Sequence, residues 1–145
     1  MPPELFFNRL GEWPAVRDSE VLLRRAALAA LESRGERSGE VSYTFVSEEE
    51  IRGLNRDYLK RDHPTDVIAF DLGDGSSLLG DVYISPEVAA ANAADHDEPA
   101  HREIVRLVVH GSLHVIGLDH PAGPERESTP MFVLQEELLR SLTDG

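Results

Sequence analysis

The sequence predicts an α+β fold, with a mostly mixed sheet of four strands and about five helices. Three observations carry this. Short apolar segments with strand character are interleaved with amphipathic helical segments. Two of the strands follow each other directly across the turn-like "GDGSS", which breaks a strict strand–helix alternation. The 145 residues contain no internal repeat or low-complexity tract, and that length suits one domain, 1–145, with a real core.

The elements follow in chain order. "PELFFNRL" is a short first strand. Asp18 or Ser19 caps a helix that runs to Gly35, with Leu22, Leu23, Ala26, Ala27 and Ala30 as its apolar side. In "EVSYTFVS", Val41, Tyr43 and Phe45 alternate with Ser42 and Thr44, as in a half-buried strand. Ser47 and Glu50 have capping-box spacing and open a helix through Tyr58. "TDVIAFDL" and "LLGDVYIS" are the next two strands. Pro86 starts a helix over "EVAAANAA", and "DHDEP" ends it. A long helix spans Ala100 to Ile116. The last lies within Pro130 to Leu142, with Met131, Leu134, Leu138 and Leu142 on one side.

Composition narrows the function classes. Net charge is −13, from 14 Lys+Arg against 27 Asp+Glu. That disfavours nonspecific nucleic-acid binding, whose affinity comes from phosphate neutralisation. There are no cysteines, so disulfides, thiolate metal sites and a cysteine nucleophile are excluded. No apolar run has membrane-spanning length, and "MPPELFFNRLGEW" lacks the layout of a signal peptide. A cytoplasmic location is the expectation.

The chemistry concentrates in "VVHGSLHVIGLDHP". His110 and His114 are four apart, which puts both on one face of a helix. Gly117 can take positive φ and stop that helix, and His120 could return to the same point. Three imidazoles with one open position describe a catalytic rather than structural zinc site. Zinc there would bring a bound water to a pKa near ~7. Any one of these histidines is ordinarily a polar residue satisfied locally; the three together, on the polar stripe of an apolar helix, favour a metal. Zinc suits neutral imidazoles, with iron, nickel and copper as alternatives. The expected site is therefore zincin-like, with one Zn2+ per chain on a central helix. The spacing also looks like the long metzincin protease signature, but that signature carries Glu after the first His as general base, and here Gly111 stands there.

"HGSLHVIGLDH" resembles the HGxLHLxGxDH signature of the YbeY family of endoribonucleases. "LNRDYLKRDHPTDVIAF" resembles that family's LNxxYRxxDxPTDVLSF block, and "LLGDVYIS" its LLGD strand. The resemblance covers most of the chain from Val41 on. It implies an endoribonuclease, zinc-dependent and single-strand-specific, that matures the 3′ end of small-subunit rRNA and takes part in ribosome quality control. It implies the metal ligands His110, His114 and His120, and partners in RNA and the small ribosomal subunit. Asp119 matches the family's Asp before the third histidine, where it could orient a ligand or serve near the water.

The family's arginine after the tyrosine falls on Leu59. Lys60 and Arg61 follow; Arg61 is the better phosphate partner because its guanidinium binds in a bidentate fork. A solvated helix end is the ordinary reading of both. Asp66 and Asp81 either cap backbone or wall the cleft. His63 reads as a loop residue, His96 and His101 as exposed, and Trp13 and Met131 as packing. Two other functions stand beside the nuclease: a ribosome-assembly factor with a structural zinc, and a metzincin-like metalloprotease disfavoured by Gly111.

Overall fold

The computed structural model describes residues 2–60, 65–118 and 129–143. The strands are β1 (Glu4–Asn8), β2 (Gly39–Phe45), β3 (Val67–Asp71) and β4 (Leu78–Ile84). They form one sheet in the order β1-β2-β4-β3. β1–β2 and β2–β4 are parallel, and β3–β4 is antiparallel. The sheet is therefore mixed, as expected. A chain that takes two parallel crossovers and one hairpin has no other choice.

The helices are a short α1 (Pro14–Arg17), then α2 (Glu20–Leu31), α3 (Glu48–Leu59), α4 (Pro86–Asp95), α5 (Ala100–Val115) and α6 (Pro130–Thr143). Five of these have ten residues or more, matching the expected number. α1 was not foreseen. Asp18 closes it rather than capping the next helix. Ser19 stands at the start of α2 but makes no side-chain capping bond. α2 also ends at Leu31, short of Gly35, although Gly35 does take a positive φ of 115°.

The local signals at α3 and α4 hold. Ser47 Oγ accepts from Glu50 N, and the Glu50 carboxylate accepts from Ser47 N. Pro86 opens α4, and Ser85 Oγ accepts from Val88 N. No described helix is long and apolar enough to cross a membrane.

α5 is the hub. One broad side of it, Ile104, Val105, Val108, Val109 and Val115, is buried among Val41, Tyr43, Phe45 and Val82 from the sheet and residues of α2 and α6. α3 covers the other sheet face near β3, where Val46, Ile51 and Ile68 pack with Leu54, Phe70 and Tyr83. A continuous apolar side, with one polar stripe left over, is what holds the functional residues of α5 in place.

Candidate functional site

Two glycines let α5 lie close to the sheet. A Cβ on Gly111 would sit 2.7 Å from Val82 Cγ1, and one on Gly80 would sit 2.6 Å from Val115 Cγ1. The residue after the first histidine thus points into the sheet and not into the cleft. His110 and His114 occupy the polar stripe. Their rings meet edge to face, centroids 4.6 Å apart, with the two Nε2 atoms 3.1 Å apart. They line a cleft of about 270 Å³ together with Leu59, Val67, Ile68 and Ala69.

The pair fits a shared cation. Two Zn–N bonds of about 2.0–2.1 Å at a tetrahedral angle separate the nitrogens by about 3.3 Å. The observed Nε2 separation is close to that value. The described residues contain no group of three metal-ligating side chains. The third expected ligand, His120, lies outside the described residues, as do Asp119, Arg61 and His63.

The helix ends as the glycine predicted. Gly117 has φ 96°. Its N–H bonds the His114 carbonyl at 3.0 Å, and Leu118 N–H bonds the Leu113 carbonyl at 3.0 Å. This is the Schellman arrangement, with Leu118 packing back on the core. It turns the chain immediately after His114.

Gln135 is the residue that sequence reasoning missed. The expected apolar side of the last helix was Met131, Leu134, Leu138 and Leu142. The fully buried stripe is instead Met131, Gln135 and Leu139, with Leu134, Leu138 and Leu142 only partly buried. Gln135 Oε1 lies 2.6 Å from His110 Nδ1. The i, i+4, i+8 spacing around a lone amide was the signal available.

Behind Gln135 lies an ion cluster. Arg106 binds Glu98 at 2.7 and 3.1 Å, Glu136 at 3.0 and 3.2 Å, and also Glu103. The hydrogen bonds to Glu98 and the other carboxylates outweigh burial and raise the guanidinium pKa further. Burial pushes the Glu103 carboxyl up, against the pull of Arg106. The Arg106 bond holds Glu98 below its ordinary value.

The remaining single residues separate cleanly. Asp66 accepts from Asn92 Nδ2 at 3.3 Å and lines a cavity of about 70 Å³ with Glu103, Arg106, His110 and Gln135. That cavity shares His110 and Val67 with the cleft, but Asp66 is not among the residues that line the cleft itself. Asp81 is not in the cleft; it accepts from Tyr83 at 2.7 Å and, ahead of burial, pushes that hydroxyl up to about 12. His96 and His101 are exposed. Trp13 packs against the core, and Met131 is buried in it.

Comparison with known proteins decides the family. The family model described as Endoribonuclease YbeY matches residues 16–143. The chain belongs to the YbeY endoribonuclease family. It is 42% identical over 146 residues to the Endoribonuclease YbeY of Geobacillus kaustophilus, covering 92% of each chain. It is 42% identical over 127 residues to that of Shouchella clausii, covering 78% of each. The solution structure of TM1509 from Thermotoga maritima is similar in fold, with TM-score 0.63 and 27% identity over 95% of this chain and 88% of that one. With the chain in the YbeY family, the protease resemblance is confined to the spacing of three histidines.

Proposed function

We propose that this chain cuts single-stranded RNA with the help of one zinc ion held by His110, His114 and His120. The observation that carries this is the meeting of His110 and His114 Nε2 at 3.1 Å on the wall of a cleft, in a chain of the YbeY endoribonuclease family. Zinc, when bound, would polarise a phosphoryl oxygen and supply a nucleophile at neutral pH.

The chain's own residues do the rest. Leu59, Val67 and Ala69 give the cleft apolar walls, which lower the local dielectric and strengthen charge contacts with a phosphodiester. Arg61 is the proposed phosphate partner, and Asp119 the proposed acceptor beside the third histidine. The biological reading is maturation of the 3′ end of small-subunit rRNA and ribosome quality control, in the cytoplasm. A net charge of −13 is compatible with that work when the ribosome positions the RNA; tight, partner-free affinity for arbitrary RNA would count against it.

Metal analysis paired with an rRNA-precursor assay tests the proposal. About one zinc per chain and cleavage are expected for the wild type, with both reduced in His114→Ala. Full metal content and activity in that variant would overturn the site. Leu59 supports a second reading, because an aliphatic side chain lines the cleft where the family has arginine. In that reading the chain is an assembly factor with a structural zinc, and the wild type holds zinc but cleaves nothing. A cleaved product ending in a 2′,3′-cyclic phosphate would assign the attack to the ribose hydroxyl, and a plain terminus to water.

A further inference from the structure

His110 has two ring nitrogens, and only one can face the point it shares with His114. The other lies against Gln135 Oε1 at 2.6 Å. Which partner donates across that contact is decided one residue further out. Gln135 Nε2 lies 3.1 Å from Glu136 Oε2. A carboxylate only accepts, so the Gln135 amide must keep its NH2 toward Glu136 and its carbonyl oxygen toward His110. That oxygen is itself only an acceptor. Nδ1 of His110 must therefore carry a proton, and in the neutral ring that leaves Nε2 its lone pair.

Glu136 is not at liberty to turn away. Arg106 Nε and Nη2 bind its two oxygens at 3.0 and 3.2 Å, a fork-to-fork pair. The other donors of Arg106 go to Glu98 and Glu103, so all five of its N–H groups are engaged. Gln135 is 4% exposed, between Met131 at 2% and Leu139 at 0%. A methionine or leucine would fill that stripe as well, so packing alone does not call for an amide there.

We propose that Gln135, oriented by Glu136 and Arg106, is a positioning residue that locks His110 in its Nδ1–H tautomer and aims the Nε2 lone pair at the site shared with His114. The lock is a property of the metal-free chain. Its consequence for zinc rests on the function proposed above.

The test is a two-bond 1H–15N spectrum of metal-free protein labelled at histidine, read beside zinc affinity by competition with a chelating dye. The wild type is expected to show His110 protonated on Nδ1. Gln135→Met, matched in volume, is expected to move part of the population to the Nε2–H form and to weaken zinc binding about 10- to 100-fold. Gln135→Glu keeps an acceptor and is expected to keep the Nδ1–H form. A wild-type spectrum with the proton on Nε2 overturns the lock without any variant having to fold. So does a Gln135→Met protein that retains the wild-type tautomer and affinity. Nδ1–H in a wild type that binds no zinc would uphold the lock and sink the metal reading.

Discussion

Gly111 meets Val82 so closely that a Cβ on it would lie 2.7 Å from Val82 Cγ1. Val82 is fully buried in β4, and its branched side chain has little freedom to move aside. The close approach fixes how deeply α5 sits on the sheet, and hence where His110 and His114 stand relative to the cleft.

Gly111→Ala gains helix propensity of up to about 1 kcal/mol but overpacks the interface at a cost of about 1–3 kcal/mol. Overpacking wins, so thermal melting should show a loss of a few degrees. Gly111→Glu, which restores the glutamate of the zinc proteases, forces a carboxylate into the same space. A much larger loss of Tm and no peptidase activity are expected. Peptide cleavage by a stable Gly111→Glu protein would revive the protease reading.

Gly117→Val tests the turn that follows the second histidine. Nothing lies within 4 Å of a Cβ there, so the cost is conformational: φ is 96°. A side chain in the left-handed region costs about 1–2 kcal/mol, and a β-branched one is a genuine outlier. Melting should fall by several degrees and zinc content should drop. Gly117→Asn is the milder control, and a valine variant with unchanged zinc content would show that the turn does not serve the metal.

Leu59 is 43% exposed and lines the cleft. Leu59→Arg supplies the guanidinium that the resemblance to the LNxxYRxxDxPTDVLSF block places at this position. A charge-assisted bond to phosphate contributes about 1.5–3 kcal/mol, so affinity for a single-stranded RNA should tighten about tenfold or more. Binding should also become steeper in salt. An unchanged affinity and salt slope would mean that RNA does not pass this point.

Acid stability should depend on Glu50. The Arg9 guanidinium, with Ser47 N–H, holds its carboxyl down at about 2. An unfolded glutamate titrates near ~4.3. A depressed folded value means the contribution is fully present above ~4.3 and is lost as pH falls from there toward 2. Both side chains are partly exposed, 33% and 46%, so screening keeps the effect below about 1 kcal/mol. Glu50→Gln should melt slightly lower than wild type at pH 7, with the gap closing by pH 2 and narrowing in high salt. A gap that persists at pH 2 would show that the effect does not come from the ionised Glu50 carboxylate.

Much of the molecule was legible before the structure. Period-2 and period-3.6 apolar patterns are local consequences of strand and helix geometry, so the four strands and the long helices could be read directly. The His110–His114 pair and the stop at Gly117 are equally local, since each depends on residues within one or two turns. The departures came where a signal competes with its surroundings. Ser19 had the chemistry of a cap, yet the unforeseen α1 ends on Asp18 beside it, and Ser19 makes no capping bond. In the last helix, hydropathy pointed to Leu134 and Leu138, while the site helix set the facing stripe at Gln135.

The sequence by itself determined the type of the four strands and the five long helices, the polar stripe of α5, and which imidazoles share a face, because these follow from spacing along one chain. Only the tertiary structure decided what stands behind His110. Gln135 is 25 residues away in sequence, and Arg106 and Glu136 are 30 apart. No periodicity links them. They meet because α5 and α6 pack together, and burial then requires each polar group to find its partner.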